Sequence, residues 1–558
     1  MANDFAARPV PGPDGGHVSD GLQANDGVQA SDGGQAGDGI QASDCGQASD
    51  VIQASDGGQR GDGVEAARAA AANAFSSCLR RIAACEWRDL PVAARSRAAM
   101  IMADNMAAAF SAADEPEVVR ARELALREGD PGAVTMLARG RPLASRRDAA
   151  SINGLTMGWN ELDEGYRKAV CHGGLYVLPA LLATAEACGA SGRDVLRALI
   201  LGYEIVARVA RAWRFPDLRL HPHALLGPVG AAAGVALLRR LPPDELIAAV
   251  AGATALGMAG PFNQAVQGAL VRNTWAAHGA VAGMAAVDHA RAGIGGLAST
   301  PFDVYVTGLG TITDLSAFDD DGDWAVCAGY QKINACCQYA HSSIAAVQAL
   351  IARTPEVLKG AAVNAVRVAA HPLALKLDNR QPLTTLAAKF SLPHAVAAAI
   401  VHGHGGVTAF DSASLSDPRI ERLRQLIEIV PFDGVRPAPH DRPAAVEIET
   451  AAGTDRETCW SAPGGPDLPF DEQDINRKVA ALCAPVAPAA AGVLERLAQM
   501  AVENTTAPTP MAAASIAAAR SPIPNASGST RVALSLSSPW SAWLDAMFAE
   551  PQSIEQHE

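Results

Sequence analysis

The sequence predicts a mainly α protein: a large all-helical domain, built from N- and C-terminal segments, with an inserted, smaller α+β lid domain. Long segments rich in Ala, Leu and Val repeat apolar residues every three or four positions, as buried helices do. Aromatic residues make up only 5% of the chain, which favours helices packed through small side chains over a sheet-dominated fold. After Cys327, short stretches alternate apolar and polar residues, the pattern of half-buried strands. A chain of 558 residues is also too long for one ordinary core.

The first part of the helical domain is predicted over residues 67–328. Its helices are expected at 64–86, 91–113, Pro179 to Ala187, Ser191 to Val209, Ala224–Leu241, Leu246–Met258 and Thr274–Ala292. Ser191 followed by Asp194 has the spacing of a helix-capping box. The apolar runs are broken by Gly or Pro, or end in charge, before the roughly 20 residues that a membrane span needs. We therefore expect buried bundle helices and no membrane partner.

The smaller α+β domain is predicted over residues 329–462. Its strands are expected at 365–369, 427–430 and 445–449, and its helices at 342–353, 391–402 and 416–426. Residues 463–504 are predicted to return to the helical domain, with helix across 472–503.

Two terminal segments are predicted to lack a core. Residues 22–63 are seven consecutive hexapeptides of the type Ile-Gln-Ala-Ser-Asp-Gly. The aliphatic position of this repeat is often Gly, so stacked turns would share no continuous core, and we expect residues 1–66 to form a disordered tail. Residues 505–558 are predicted to be a low-complexity C-terminal tail, with a short helix over Trp540–Phe548.

Charge and cysteine content restrict the possible partners. The formal net charge is -14, but residues 1–66 contain eleven acidic residues and two arginines, so the rest of the chain is only mildly acidic. No basic stripe is present, and nucleic acid is not an expected partner. The ten cysteines have no zinc-type spacing. Without an apolar segment of the secretory type near the N-terminus, the sequence predicts reduced thiols and a cytoplasmic location.

The segment 160–174 interrupts the apolar helices with a dense set of polar residues. It contains three carboxylates, two cations and a histidine, which are Glu161, Asp163, Glu164, Arg167, Lys168 and His172. Such a loop on a rigid helical scaffold is a typical place for binding or catalytic groups, whereas the alternative is a solvated helix connection. Arg167 and Lys168 are expected to be solvated.

Further polar clusters suit the binding of an anion. His221-Pro222-His223 could be a fragment of a metal site, but no ligand lies at a recognised spacing, so one imidazole in a cleft is the favoured interpretation. Arg272 opens an apolar helix, where it could bind a carboxylate or reach out to solvent. Lys332 lies at the junction of the two predicted domains, where it could bind an anion or act as a base.

These clusters, in this order, resemble the MmgE/PrpD family, which includes 2-methylcitrate dehydratase, cis-aconitate decarboxylase and iminodisuccinate epimerase. The resemblance rests on Glu161-Leu162-Asp163-Glu164-Gly165 with His172-Gly173-Gly174, Gly202-Tyr203-Glu204, Leu220-His221-Pro222, Lys332 with Cys337 and His341, and Ala388-Lys389-Phe390-Ser391. It covers roughly residues 70–500. It implies a homodimer of two-domain subunits that uses neither a metal nor an organic cofactor.

The resemblance also implies the site residues. Catalytic roles fall to Asp163, His172, His221 and Lys332, and substrate contacts to Glu161, Arg272, His394, Cys337 and His341. The expected activity is dehydration of a small hydroxy-polycarboxylate similar to 2-methylcitrate, by general acid–base elimination. The alternatives are an epimerase of an amino-dicarboxylate such as iminodisuccinate, a decarboxylase of the cis-aconitate type, and an inactive dimeric binding protein.

The sequence departs from the decarboxylase-like pattern at several of these positions. Gly165 stands in place of a threonine, Arg272 in place of a lysine, and His394 in place of a tyrosine. Glu161 replaces the first aspartate of the acidic loop. These departures make decarboxylation of cis-aconitate a less expected activity than dehydration.

Overall fold

The computed structural model describes residues 59–217, 219–355, 363–503 and 534–550. The helices are α1 Gln59–Ala84, α2 Val92–Ser111, α3 Pro116–Glu128, α4 Arg146–Trp159, α5 Gly173–Cys188, α6 Gly192–Ala212, α7 Pro222–Leu238, α8 Pro243–Thr254, α9 Asn263–Gln267, α10 Thr274–Arg291, α11 Thr300–Phe302, α12 His341–Arg353, α13 Thr385–Lys389, α14 Leu392–His402, α15 Ser412–Leu415, α16 Pro418–Leu426, α17 Glu472–Cys483, α18 Ala490–Glu503 and α19 Trp540–Met547. In these parts of the chain, no helix has the length and apolarity that crossing a membrane requires.

One four-stranded sheet and three short two-stranded ribbons accompany the helices. The strands are β1 Val134–Thr135, β2 Leu143–Ala144, β3 Gly165–Tyr166, β4 Trp213–Arg214, β5 Ile312–Thr313, β6 Gly329–Tyr330, β7 Val363–Ala370, β8 Ile427–Pro431, β9 Ala444–Thr450 and β10 Gly453–Cys459. The sheet has the order β10-β9-β7-β8, in which β7 pairs parallel with β8 and antiparallel with β9. The mainly α fold with a smaller α+β part is therefore confirmed.

The described residues contain two large hydrophobic clusters. The first combines helices α1 to α8 and α10 with apolar side chains of α17, α18 and α19, so segments from both halves of the sequence complete one helical core. The second joins the four-stranded sheet with α12, α14 and α16. The boundaries at residues 328, 462 and 504 stay predictions.

Glycine permits a close helix contact in the larger cluster. Helix α7 crosses α10 where Gly227 faces Gly279, and a Cβ on Gly279 would lie 2.9 Å from the Cα of Gly227. No side chain fits at that separation, so the backbones themselves are in contact. This contact is the physical reason for the small-residue composition that predicted the fold.

Several element boundaries differ from those predicted. Helix α1 begins at Gln59, inside the last hexapeptide, so the prediction of a disordered tail is wrong for residues 59–66, while residues 1–58 lie outside the described residues. Helix α5 begins at Gly173 and contains Pro179 in its interior, where the sequence analysis places the helix start. Strand β10 was not predicted, because Gly453–Cys459 is a polar edge strand without apolar alternation.

Residues 534–550, assigned above to a low-complexity tail, are packed against the helical core. The predicted short helix is confirmed as α19, and Trp540 and Trp543 are fully buried. The amide of Arg193 donates to the carbonyl of Leu536 at 2.9 Å, and the amide of Trp540 donates to the carbonyl of Ala190 at 2.8 Å. The segment is therefore anchored at the turn between α5 and α6. Residues 504–533 lie outside the described residues.

Candidate active site

A cavity enclosing about 530 Å³ of empty space, counted out to its open mouth, lies where the acidic loop meets the segment after β6. Six of the residues predicted for the site line it, namely Glu161, His172, His221, Arg272, Lys332 and Cys337. Other lining residues include Tyr166, Phe262, Tyr330, Gln338, Tyr339, Phe390 and Arg442.

The acidic loop is fixed at both ends. Helix α4 ends at Trp159, and Glu161 adopts a left-handed backbone conformation with a φ of 55°. The ribbon β3–β6 then pairs Gly165 with Tyr330, two residues before Lys332. Helix α5 begins directly after His172. The loop and the junction segment thus form two adjoining walls of one cavity.

The buried carboxylate of Asp163 lies between a lysine and a histidine. Its Oδ1 is 3.3 Å from Nζ of Lys332, and its Oδ2 is 2.6 Å from Nδ1 of His172. Burial alone would raise the pKa of Asp163, but Lys332 and His172 outweigh it and hold this pKa well below its usual range. Burial likewise opposes the charge of Lys332, and Asp163 and Glu161 outweigh it and raise the lysine pKa. Asp163 and Lys332 therefore form a charged, fixed pair.

The contact with Asp163 also assigns the tautomer of His172. A carboxylate only accepts hydrogen bonds, so Nδ1 of His172 carries the proton that Asp163 receives. The remaining nitrogen, Nε2, is then the one available for proton transfer with a ligand. His172 lines the cavity, so this arrangement is that of an oriented general base.

Arg272 is the second cation beside Glu161. It forms an ion pair with Glu161, and its guanidinium carbon lies 5.1 Å from the centre of the Phe390 ring. Glu161 Oε2 is also 3.8 Å from Nζ of Lys332. Glu161 thus connects the two cations that were predicted to hold substrate carboxylates. The surface alternative for Arg272 is wrong, because only 1% of this residue is exposed.

His221 is less suited to proton transfer than His172. Burial and the nearby Arg272 lower the pKa of His221 well below the usual value. Its Nδ1 accepts the amide of His223 at 3.2 Å, while Nε of Arg272 lies 3.4 Å from its Nε2. Both ring nitrogens of His221 thus face an N–H donor, and a neutral imidazole can accept from only one of them.

His223 is a buried neighbour that the sequence analysis did not assign to the site. Its ring centre lies 4.7 Å from that of His172 and 4.4 Å from that of His221. Nδ1 contacts the hydroxyl of Tyr176 at 2.9 Å. Burial, followed by Arg272, lowers its pKa well below the usual value. In the sequence, the only indication of His223 was its place in the His221-Pro222-His223 motif.

Asp163, His172 and His223 also form a possible metal-ligand set, with one donor atom of each lying within 4.8 Å of the others. Two imidazoles and a carboxylate are suitable donors for a transition metal. However, both oxygens of Asp163 are already occupied, by Lys332 and His172, and the adjacent Arg272 adds positive charge. A metal ion would have to displace these contacts, and we assign no step to one.

Two predicted substrate contacts are not supported by the positions of their side chains. His394 does not line the cavity; its Nε2 bonds the carbonyl of Ala409 at 3.0 Å, and its ring packs against Phe410. His341 is also absent from the lining and bonds the carbonyl of Cys336. Burial lowers the pKa of His394 to about 4 and that of His341 to about 3, so both are neutral core groups. Motif position indicated their neighbourhood but not the direction of their side chains.

Cys337 and Lys389 serve different purposes at the cavity. Cys337 lines it, and burial raises the pKa of this thiol to about 11, so it is not a ready nucleophile. Lys389, which was not predicted as a site residue, donates to the carbonyl of Trp159 at 3.1 Å and to the side chain of Asn160 at 2.8 Å. It thereby fixes the end of α4 from which the acidic loop departs.

The prediction that Arg167 is solvated is wrong. Its side chain is only 9% exposed, and it forms an ion pair with Asp441 and contacts Ser461 at 3.0 Å. Lys168 is half-exposed, as expected. The acidic loop is therefore bonded to the segment between β8 and β9, which contributes Arg442 to the cavity wall.

Gly165 is required because Tyr330 occupies the space beside it. A Cβ at residue 165 would lie 2.3 Å from the ring carbon and the hydroxyl of Tyr330. We expect Gly165→Ala to lower the free energy of unfolding by about 1–3 kcal/mol, measured by urea denaturation, because the buried ring must move. Gly492→Ala is a suitable control, since nothing lies within 4 Å of its added methyl group. Equal stability of the two variants would contradict this account.

Glu164 lies behind the cavity as a buried acid. It accepts the amide of Gly174 and the hydroxyl of Tyr203, the latter at 3.0 Å. Burial raises its pKa to about 8. Between the unfolded pKa near 4.5 and about 8 the folded state therefore binds more protons than the unfolded state, and stability falls as pH rises.

Glu164→Gln tests this pH dependence, because glutamine resembles the protonated acid in shape. In urea titrations from pH 5 to pH 8, we expect the wild type to lose stability relative to the variant by up to about 1.4 kcal/mol per pH unit. A stability difference that stays constant with pH would show that Glu164 does not change protonation on unfolding.

Comparison with known proteins agrees with the geometry. Residues 80–310 match the MmgE/PrpD N-terminal domain, and residues 335–503 match the MmgE/PrpD C-terminal domain. The chain is 25% identical over 375 residues to cis-aconitate decarboxylase from Aspergillus terreus, which covers 60% of this chain and 74% of that protein. It is 24% identical over 430 residues to cis-aconitate decarboxylase-like protein oryM from Aspergillus oryzae, which covers 71% and 88% respectively. The chain therefore belongs to the MmgE/PrpD family, and it is a lyase of that family.

Proposed function

We propose that the protein removes water from a small hydroxy-polycarboxylate of the 2-methylcitrate type by general acid–base catalysis. The observation that carries the proposal is the buried row Lys332–Asp163–His172 at the wall of a cavity that Arg272 also lines. A base held in one tautomer beside fixed cations is what proton abstraction next to a carboxylate requires.

His172 is the proposed base. Its Nε2 takes the proton from the carbon next to a substrate carboxylate, and Asp163 stabilises the imidazolium that results. His221 and His223 are held neutral by burial, and the Cys337 thiol has a raised pKa. Among the groups predicted or found at the cavity, His172 is therefore the best suited both to take the proton and to return it. The imidazolium then returns its proton to the departing hydroxyl, which leaves as water.

Lys332 and Arg272 are proposed to hold the substrate carboxylates. Negative charge moves onto the carboxylate next to the reacting carbon when the proton leaves, and a cation fixed at that place stabilises the transition state. Both side chains are buried and already oriented by Glu161 and Asp163. The site thus spends little energy on reorganisation. These side chains supply every group that the proposed elimination uses.

A second candidate is decarboxylation of cis-aconitate, which the names of the two fungal relatives favour. Against it, the Tyr330 ring fills the space where a threonine side chain at residue 165 would lie. The acidic loop therefore presents a different surface to the ligand than the decarboxylase-like pattern implies. We place dehydration first for this reason.

Proton NMR separates the candidates. The purified protein is incubated in deuterated water with 2-methylcitrate, citrate, cis-aconitate and iminodisuccinate in turn. Conversion of a hydroxy acid to its alkene supports dehydration, and it appears as a vinylic methyl signal from 2-methylcitrate or a vinyl proton from citrate. Release of carbon dioxide from cis-aconitate, without turnover of either hydroxy acid, would instead establish the decarboxylase. Deuterium exchange without an alkene product would indicate an epimerase. The homodimer that the family resemblance implies remains a prediction, which light scattering can check.

A further inference from the structure

Arg442 is a third cation at the cavity, and it comes from the segment between β8 and β9. It lines the same cavity as Arg272 and Lys332, although only 9% of the residue is exposed. Its guanidinium carbon lies 5.7 Å from the centre of the Tyr330 ring and 5.3 Å from that of Tyr339. Both rings also line the cavity, so Arg442 is stacked between groups that a ligand would contact.

The charges of the other two cations are already matched within the protein. Glu161 pairs with Arg272, and Asp163 pairs with Lys332. The carboxylate recorded near Arg442 is Asp441, whose Oδ2 is 4.0 Å from Nε, and that carboxylate also binds Arg167. Arg442 is thus the cavity-lining cation with the weakest internal pairing among these three.

One nitrogen of Arg442 also lacks an acceptor. Nη1 is buried and makes no hydrogen bond to any group in the described part of the chain. A buried guanidinium N–H without a partner is costly, since it has lost water without gaining another acceptor. Arg442 lines the cavity, and guanidinium geometry suits a carboxylate of a ligand bound there.

The position of Arg442 is fixed from two sides. Its main-chain carbonyl accepts the hydroxyl of Ser342, at the start of α12. The preceding residue, Asp441, accepts Nε of Arg167 at 3.2 Å, which ties it to the acidic loop. Arg442 is therefore held against the same loop that carries Asp163 and His172, rather than projecting from a free segment.

We propose that Arg442 binds an additional carboxylate of the substrate and makes the enzyme selective for tricarboxylates over dicarboxylates. The inference rests on the proposed function, because it takes the ligand of this cavity to be a polycarboxylate. Arg272 and Lys332 then hold the two carboxylates that any family substrate of this class offers, and Arg442 binds the third. Arg442 is a specificity-determining residue and takes no part in proton transfer.

Calorimetric titration with two unreactive ligands tests the proposal. Propane-1,2,3-tricarboxylate and glutarate share a carbon chain and differ by one carboxylate. We expect the wild type to prefer the tricarboxylate by at least about tenfold, and Arg442→Gln to weaken its binding by about 10–100-fold while glutarate binding changes little. Arg367→Gln is the control, since the Arg367 side chain is 59% exposed on β7 and its ion-pair partner is Glu428. It should leave both affinities unchanged.

The possible outcomes distinguish a failure of the Arg442 proposal from a failure of the proposed function. An unchanged tricarboxylate affinity in a folded Arg442→Gln protein would overturn the contact, and equal losses for both ligands would overturn the selectivity. A wild-type preference near one would overturn the proposal without any variant, so a misfolded variant does not leave it undecided. Binding of neither ligand by the wild type would overturn the proposed polycarboxylate function itself. Circular dichroism establishes whether each variant is folded.

Discussion

Asp163→Asn is expected to lower the turnover number by about 10³–10⁴-fold, the order of loss seen when the carboxylate that orients a catalytic histidine becomes an amide. The amide keeps the shape of Asp163 but loses the charge that stabilises the His172 imidazolium. Its NH₂ group can also donate to Nδ1, which would place the histidine proton on Nε2 and block that nitrogen as a base. The measurement is steady-state kinetics on the substrate that the NMR screen identifies.

The control for this variant is Asp323→Asn, an exposed aspartate that pairs with Lys168. It should keep full activity. Asp163→Asn should still bind propane-1,2,3-tricarboxylate, though more weakly, if its main defect lies in proton transfer. A variant with near wild-type turnover would remove Asp163 and His172 from the mechanism, and the family assignment would be unaffected.

Lys332→Met is expected to lower kcat/KM by about 10²–10⁴-fold, mainly through a higher KM. Methionine keeps much of the length of the lysine side chain but carries no charge. The buried carboxylates of Asp163 and Glu161 then have less positive charge beside them. The excess negative charge repels a polycarboxylate. Breaking a buried ion pair also costs about 3–5 kcal/mol of stability, which urea denaturation measures.

Lys168→Met provides the matched control, because Lys168 belongs to the acidic loop itself and is half-exposed. Its expected effect on kcat/KM is less than about twofold, and its effect on stability less than about 1 kcal/mol, as for other exposed ion pairs. If the two lysine variants lost activity equally, the cavity would not be the site of catalysis.

Much of the fold follows from local pattern. The three- and four-residue spacing of apolar side chains predicted α2, and runs of Ala, Gly, Val and Leu predicted α7, α8 and α10, to within a few residues. The start of α5 differs from the prediction, because the predicted helix begins at Pro179, whereas Pro179 lies inside a longer helix and is buried. Exposed β10 had no apolar alternation to reveal it.

The site was predictable only where polar residues interrupt apolar sequence. Glu161, His172 and Arg272 stand out in that way, and the structure brings them to one cavity. Arg442 lies in a polar segment where nothing marks it, and Lys389 is marked only by the Ala388-Lys389-Phe390-Ser391 motif, which does not indicate its role. Lys389 contacts Asn160 across 229 positions of sequence, and no local pattern encodes such a contact.

The anchoring of residues 534–550 has a consequence for the position of the base. Helix α5 begins just after His172 and ends beside the turn where Trp540 and Leu536 are bonded. Both ends of helix α5 are therefore restrained. One end lies at the cavity, and the other contacts a segment that neither matched family region includes. Residues 534–550 therefore help to hold in place the helix whose N-terminal end carries His172, although they lie outside the cavity.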